Sequence, residues 1–189
     1  MEHKERLKRA LNHQQSDKIP MDFGSTAVTG IHSLAVARLR DYFGLQKRPV
    51  KIIEPYQFLG EVEDDLKDAL GIDTVGITQR NTLFGFPNEN WKEFKTPWGQ
   101  VVLVSEHFKT TPSADGGILI YPEGDTSVLP SGHMPKTGFF FDTIIRQELI
   151  DENNLNAEDN LEEFTAISEV ELKHFENEAK RLSGSDRAI

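Results

Sequence analysis

The first 77 residues alternate extended and helical patterns, and this alternation constrains the fold more than any other feature of the chain. Apolar, extended runs at 19–23, 50–54 and 73–77 predict strands. Apolar residues recur at helical spacing across 31–43 and 55–70, and a glycine follows each stretch. Strands separated by helices predict an α/β fold with a parallel sheet.

The middle of the chain has a different pattern. Short β-rich runs at 91–95, 100–105 and 117–121 are divided by turns rich in proline and glycine. They predict a hairpin and a further strand. We interpret the stretch at about 81–142 as a β-rich insertion into the α/β unit.

The last part of the chain returns to helical patterns. The acidic stretch from 151 onward includes 160–165, which has the pattern of a helical turn. Ser168 and Glu171 form a capping box before an apolar stripe, which predicts a final helix. Residues 187–189 have the pattern of a strand that is just starting.

The length of the chain bears on whether a barrel is whole or partial. A complete (β/α)₈ barrel takes about 250 residues or more, whereas this chain has 189. We therefore expect a single partial domain over 1–189. Its predicted architecture is the N-terminal portion of a TIM barrel with an inserted β-hairpin region, the barrel being incomplete.

Composition excludes several classes of function. The chain has no cysteine, which removes disulfides, Cys-ligated zinc, iron–sulfur clusters and thiol nucleophiles. Its 31 acidic and 21 basic side chains give a net charge of −10, which argues against a nucleic-acid partner. The charged N-terminus is followed by no apolar run typical of a signal peptide or membrane span, which predicts a cytoplasmic protein without a membrane partner.

Three residues near the end of the first predicted strand are candidates for lining a substrate pocket. Asp22 lies between apolar neighbours, where a carboxylate is costly to bury unless it is paired or used. Thr29 belongs to the small, polar loop 24–30, which is either an anion-binding turn or a plain strand-to-helix turn. His32 lies either at a pocket mouth or at a structural helix start. No two histidines have metal-ligand spacing, so the sequence indicates no metal site, and the catalytic residues are unknown.

Several motifs taken together are similar to those of a known family. The opening segment combines Ala-Leu-Asn-His-Gln at 10–14 with Asp-Lys-Ile-Pro at 17–20. Later motifs are Gly-Ile-Asp-Thr-Val at 71–75, Thr-Pro-Trp-Gly at 96–99, Tyr-Pro-Glu-Gly-Asp at 121–125 and Met-Pro-Lys at 134–136. Over essentially its whole length the chain resembles the uroporphyrinogen decarboxylase-like superfamily.

The resemblance implies a TIM barrel that either decarboxylates uroporphyrinogen III or moves methyl groups between a substrate, a corrinoid and a thiol. Decarboxylases of the family carry arginines after the first strand and an aspartate after the second. Here 22–30 contains no arginine, and Thr-Gln-Arg follows Ile77. These departures favour the methyltransferase-type branch over uroporphyrinogen decarboxylation.

Members of the methyltransferase-type branch bind zinc through a His-x-Cys and a later Cys in the second half of the barrel. Since this chain has no cysteine, we expect no cofactor in it and expect it to be inactive alone. Zinc, a corrinoid and a corrinoid-protein partner are implied only for a full-length relative. The partner expected for this chain is a missing C-terminal half.

Two other functions stay open from the sequence. The first is a binding or assembly module that pairs with a separately encoded second half or self-associates to cover its sheet. The second is a complete small-molecule enzyme that uses Asp22 and His32. Its test is whether Asp22→Asn abolishes the activity.

Overall fold

The computed structural model describes residues 1–146, 151–156 and 166–189. The helices are α1 (His3–Leu11), α2 (Ser33–Tyr42), α3 (Asp64–Leu70) and α4 (Glu169–Leu182), with a 3-10 turn at Pro122–Gly124. The strands are β1 (Ile31–His32), β2 (Val50–Glu54), β3 (Leu59–Gly60), β4 (Lys92–Lys95), β5 (Val101–Val104), β6 (Thr110–Pro112), β7 (Ile118–Ile120), β8 (Gly132–Met134) and β9 (Asp142–Thr143). The helical turn predicted at 160–165 lies outside the described residues.

The strands form two sheets rather than the start of a parallel barrel. The first sheet has the order β1-β3-β2-β5-β4, in which β2 and β5 are parallel and the other pairs antiparallel. The second has the order β6-β7-β8-β9 and is antiparallel. The protein therefore has an α+β fold. The predicted α/β fold, an N-terminal portion of a TIM barrel left incomplete, is wrong.

The physical reason lies in the partners of β2. A parallel barrel would pair this strand with the runs at 19–23 and 73–77. Instead β2 pairs with β3, which comes from the stretch predicted as a helix, and with β5, which comes from the β-rich middle. The hydrophobic pattern identified β2 as a strand, but a pattern of period 2 does not specify the partner strand.

A large aromatic core joins the two sheets. Its phenylalanine rings meet mostly edge to face, as the rings of Phe84 and Phe141 do at a centroid distance of 5.8 Å. The buried members are Ile52, Phe58, Phe84, Phe86, Val102, Val104, Phe108, Ile120, Met134 and Phe141. Because strands of both sheets contribute to this cluster, the β-rich middle packs as part of the main core.

A smaller aliphatic core lies beneath α2 and α3. Its buried residues are Val36, Val50, Val62, Leu66 and Ile72. The αL conformation of Gly71, with φ of 68°, ends α3 and turns the chain into the next segment. This core therefore fixes the position of α3 and of the residues that follow it.

The segments around Met21, Asp73 and Ala188 lie side by side. The Asp73 N–H donates to the Met21 carbonyl at 2.8 Å, and the Ala188 N–H donates to the Asp73 carbonyl at 2.9 Å. Thr74 and Ala188 form an isolated parallel bridge. Gly76 follows at a crowded point, since a Cβ there would lie 1.6 Å from the Ser25 carbonyl oxygen. These contacts bring three distant parts of the sequence to one place.

The first and last helices agree with the sequence prediction. The helix predicted at 4–14 is α1, and α4 begins after Ser168, whose hydroxyl accepts from the Glu171 N–H at 3.2 Å. The Glu171 carboxylate instead accepts from the Arg80 N–H at 3.0 Å. The predicted N-cap is therefore confirmed, while the glutamate of the box links α4 to another segment. Among the described residues, no helix is both long enough and apolar enough to cross a membrane.

Candidate functional site

A charged groove of about 1260 Å³ runs along one side of the protein. It lies between the first turn of α3, the segment 76–80, and α4 with the residues that follow it. Ser25 and Gly76 contribute to its lining, so the close approach of these two residues shapes it. The groove thus depends on parts of the chain that are far apart in sequence.

Ion pairs occupy the α3 side of the groove. Arg48 donates to Glu63 at 2.6 Å and to Asp65 at 3.1 Å. The buried Arg40 also donates to Asp65, at 2.8 Å, and this hydrogen bond lowers the pKa of the Asp65 carboxyl below its ordinary value. The carboxylates at the start of α3 also interact favourably with the positive end of the helix dipole. On this wall the carboxylates of Glu63 and Asp65 are therefore paired with arginine side chains.

The opposite wall is α4, which two hydrogen bonds attach to the segment 76–80. One is the bond from Arg80 to Glu171, and in the other His174 Nε2 donates to the Thr78 carbonyl at 2.9 Å. Arg181 pairs with Glu178 at 2.7 Å, and this hydrogen bond lowers the pKa of Glu178. Both walls therefore carry charges of both signs.

Unpaired backbone donors line part of the groove. The N–H groups of residues 76–79 make no hydrogen bond within the described part of the protein. Gly76, Thr78 and Gln79 all contribute to the groove lining, and Thr78 and Gln79 are exposed. A row of unpaired backbone groups beside an open groove is a template for main-chain pairing with another segment.

A buried ionic network lies under the segment that leads into the groove. The Asp73 side chain is fully buried and accepts hydrogen bonds from His3, from Arg6 and from the Met21 N–H. Burial alone would raise the pKa of Asp73, but these hydrogen bonds outweigh it and lower the pKa. Arg6 also donates to Asp17 at 2.7 Å. The network holds α1 against the residues that precede the groove.

The structure places Asp22 and Thr29 in local hydrogen-bond networks. Asp22 accepts from Thr74 Oγ1 at 2.8 Å, and Thr74 Oγ1 accepts from Ser25 at 2.7 Å. The Thr29 carbonyl accepts from the Gly24 N–H at 2.8 Å and closes the loop 24–30. Asp22 is thereby linked to a groove residue, Ser25, whereas Thr29 stabilises the turn.

His32 lies in a different environment, against aromatic side chains. Its Nδ1 accepts from the Leu34 N–H at 3.2 Å as the N-cap of α2, so Nε2 donates to the Phe139 carbonyl at 2.9 Å. The ring centroid lies 5.6 Å from that of Trp98 and 6.2 Å from that of Phe58. Among the described residues, no hydrogen bond joins His32 to Asp22 or Thr29. The role of these residues as a pocket lining stays a prediction.

Three possible metal ligands, which sequence spacing did not indicate, meet at one end of the β4–β5 hairpin. Ligand atoms of Glu89, Glu106 and His107 lie within 4.8 Å of one another. Helical His spacing could not have found them, because Glu89 precedes one strand and the other two follow its partner. The hairpin register, which pairs Lys92 with Val104, was the signal that could have indicated that these three residues meet.

No family model, curated protein or solved structure matches the chain. The resemblance to the uroporphyrinogen decarboxylase-like superfamily therefore stays a prediction from the sequence motifs. The zinc site that the resemblance implies does not fit these residues, because that site needs cysteine thiolates and the chain has no cysteine.

Proposed function

We propose that this chain is a binding and assembly unit that accepts an extended segment of a second polypeptide in the charged groove. The observation that carries the proposal is the row of unpaired N–H groups at 76–79 beside the groove. An extended segment would supply carbonyl acceptors to this row, as in recognition by strand addition. A second copy of the chain is the partner to test first.

The character of the groove supports a polypeptide ligand over a small apolar one. Sites for small molecules are mostly apolar with a few polar groups. Here the walls carry paired charges of both signs, as in Arg48 with Glu63 and Arg181 with Glu178. Such walls suit a polar segment whose side chains exchange partners with these pairs.

The test is the concentration dependence of the molar mass, measured by size-exclusion chromatography with light scattering. We expect a discrete dimer that the variant Thr78→Pro weakens by at least about tenfold, since a main-chain donor to a partner would be lost. The variant keeps the Thr78 carbonyl, which accepts from His174. Proline also favours an extended conformation at the preceding residue.

Val28→Pro is the matched control. Val28 is 95% exposed, its N–H makes no hydrogen bond in the described structure, and it follows Ala27 in the turn that the Gly30 N–H closes. Proline is favoured at that turn position, so this variant should keep the dimer. A wild-type chain that is monomeric at every concentration, or a dimer that Thr78→Pro leaves unchanged, contradicts the proposal for self-association.

We also infer from the sequence motifs that the unit belongs to a uroporphyrinogen decarboxylase-like protein of the methyltransferase type, located in the cytoplasm. The motifs at 17–20 and 71–75 that carry this inference lie close together, because Arg6 donates to both Asp17 and Asp73. In this proposal the zinc ligands and the corrinoid protein come from a partner. The chain alone should transfer no methyl group from methylcobalamin to a thiol and should not decarboxylate uroporphyrinogen III. Methyl transfer by the isolated chain contradicts the assignment of the zinc ligands to a partner, and decarboxylation contradicts the methyltransferase type.

A further inference from the structure

The end of the β4–β5 hairpin brings one imidazole and two carboxylates together. His107 Nε2 lies 3.6 Å from Glu89 Oε1 and 3.5 Å from Glu106 Oε1. The three side chains are partly exposed, at 43% for Glu89, 46% for Glu106 and 39% for His107. An ion from solvent can therefore reach all three.

These separations are poor for hydrogen bonds but suitable for a shared cation. A contact of 3.5–3.6 Å exceeds the range of about 2.7–3.2 Å in which an N–H donor and an oxygen acceptor form a good hydrogen bond. Metal–ligand distances of about 2.0–2.2 Å place neighbouring ligands of a tetrahedral site about 3.3–3.6 Å apart. The distance from His107 Nε2 to each carboxylate oxygen therefore equals the distance between two ligands of one tetrahedral ion.

The surrounding backbone holds the ligands in place. The Glu106 N–H donates to the Glu89 carbonyl at 3.2 Å and ties the two ends of the hairpin together. The buried Ser105 hydroxyl donates to the Pro87 carbonyl at 2.7 Å and accepts from the His107 N–H at 3.2 Å. Backbone and side-chain hydrogen bonds between the two ends of the hairpin therefore fix the backbone at or next to each of the three ligands.

Other side chains orient the carboxylates from outside the trio. Arg80 donates to Glu89 Oε2 at 3.2 Å, which leaves the Oε1 atom directed to His107. The Asn90 amide donates to Glu106 Oε1. Outer partners of this kind commonly hold metal-ligating carboxylates and add to metal affinity.

We propose that Glu89, Glu106 and His107 bind a divalent first-row transition-metal ion, with zinc the best match. One imidazole and two carboxylates are suitable ligands for zinc. Three protein ligands leave the fourth position of a tetrahedral ion to water or to a group from a bound partner. Because Glu89 and Arg80 also line the charged groove, the site lies at the groove margin.

Isothermal titration calorimetry of the untagged 189-residue chain with zinc chloride tests the site. We expect saturable binding of one ion. Losing a ligand should cost at least as much as losing an outer partner, so Glu89→Gln and His107→Gln should each weaken binding by about 100-fold or more. Arg80→Gln should weaken it by about 10–100-fold.

His133→Gln is the matched control. His133 Nε2 lies 3.1 Å from Asp115 Oδ1 and is partly exposed, but the pair has no third ligand close by among the described residues. This variant should leave zinc affinity unchanged. Cobalt(II) gives a second measurement, because a four-coordinate site produces intense visible absorption that His107→Gln should abolish.

Circular dichroism checks that each variant is folded. If Glu89→Gln does not fold, Glu106→Gln is measured in its place. Three results overturn the proposal. They are no saturable zinc binding by the wild-type chain, equal affinity in His107→Gln, and an equal loss in His133→Gln. Failure of the dimer test leaves this site intact, since these ligands all belong to one chain.

Discussion

At the scale of single residues, two buried arginines hold the chain together near Asp73. Arg6 donates to Asp73 and Asp17. Arg187 donates to the Ile72 carbonyl at 3.0 Å and to Asp68. Buried charges are costly unless they are paired and hydrogen-bonded, and here each has partners from a distant part of the sequence. The cost of burial is offset, and the pairing specifies which segments lie side by side.

The variant Asp73→Asn should destabilise the protein by about 3–5 kcal/mol at pH 7, because it leaves a buried arginine without its buried partner. Urea unfolding followed by circular dichroism measures this change. Asp17→Asn is the control, since the Asp17 side chain is 41% exposed and its loss should cost less. Equal stability of Asp73→Asn and the wild-type chain contradicts the prediction.

The same variant tests the pH dependence. The folded-state pKa of Asp73 lies below its ordinary value of 3.8, so the charged carboxylate stabilises the fold above that pH. This stabilisation is lost as the pH falls through the folded-state pKa. The difference in unfolding free energy between the wild-type chain and Asp73→Asn should therefore shrink below about pH 4. A difference that stays constant from pH 7 to pH 3 would show that the carboxylate charge is not the cause.

At the scale of elements, features encoded by near neighbours were predictable. Helices α1, α2 and α4 were predicted because apolar spacing, caps and terminal glycines lie within each segment. The helix predicted at 55–70 was wrong in its first part. There the Glu54 carboxylate accepts from the Tyr56 and Gln57 N–H groups, both at 2.8 Å, and Phe58 has φ of 59°. The Glu54 carboxylate stabilises this turn, which leads into β3. Burial raises the pKa of the Glu54 carboxyl.

Strand pairing and the candidate sites were less predictable for one physical reason. Both depend on contacts between residues far apart in sequence, which local periodicity does not encode. The groove needs Ser25, the start of α3, the segment 76–80 and α4, and no motif connects them. The metal-ligand trio depends on a single hairpin, so a correct strand register would have brought Glu89 close to Glu106 and His107.

At the scale of the whole molecule, helix α4 and the strands of the first sheet differ in how firmly they are held. Strands β2 and β5 belong to the aromatic core, where Ile52, Val102 and Val104 are at most 2% exposed. Helix α4 has one buried residue, Leu182. Its Val170 and Leu172 are 60% and 45% exposed. Elements with few buried apolar contacts open at lower free energy than the core does.

We therefore predict that α4 opens without unfolding of the core. Hydrogen exchange followed by mass spectrometry at pH 7 should show much faster exchange in Glu169–Leu182 than in Val101–Val104. Leu182→Ala should lower the free energy of opening by about 2–5 kcal/mol if the site does not collapse. Exchange should then accelerate in α4 and at Arg80, whose N–H donates to Glu171.

The strands provide the internal reference for this experiment. Exchange in Val101–Val104 should not change in Leu182→Ala, because β5 belongs to the aromatic core whereas Leu182 is absent from it. Equal acceleration in α4 and β5 would mean that the protein opens as one cooperative unit, contrary to the prediction. Separate opening would make α4 a mobile wall of the groove. A polypeptide segment would then reach the donors at 76–79 from the side of α4, because Arg80 and Thr78 are the groups that α4 holds when it is closed.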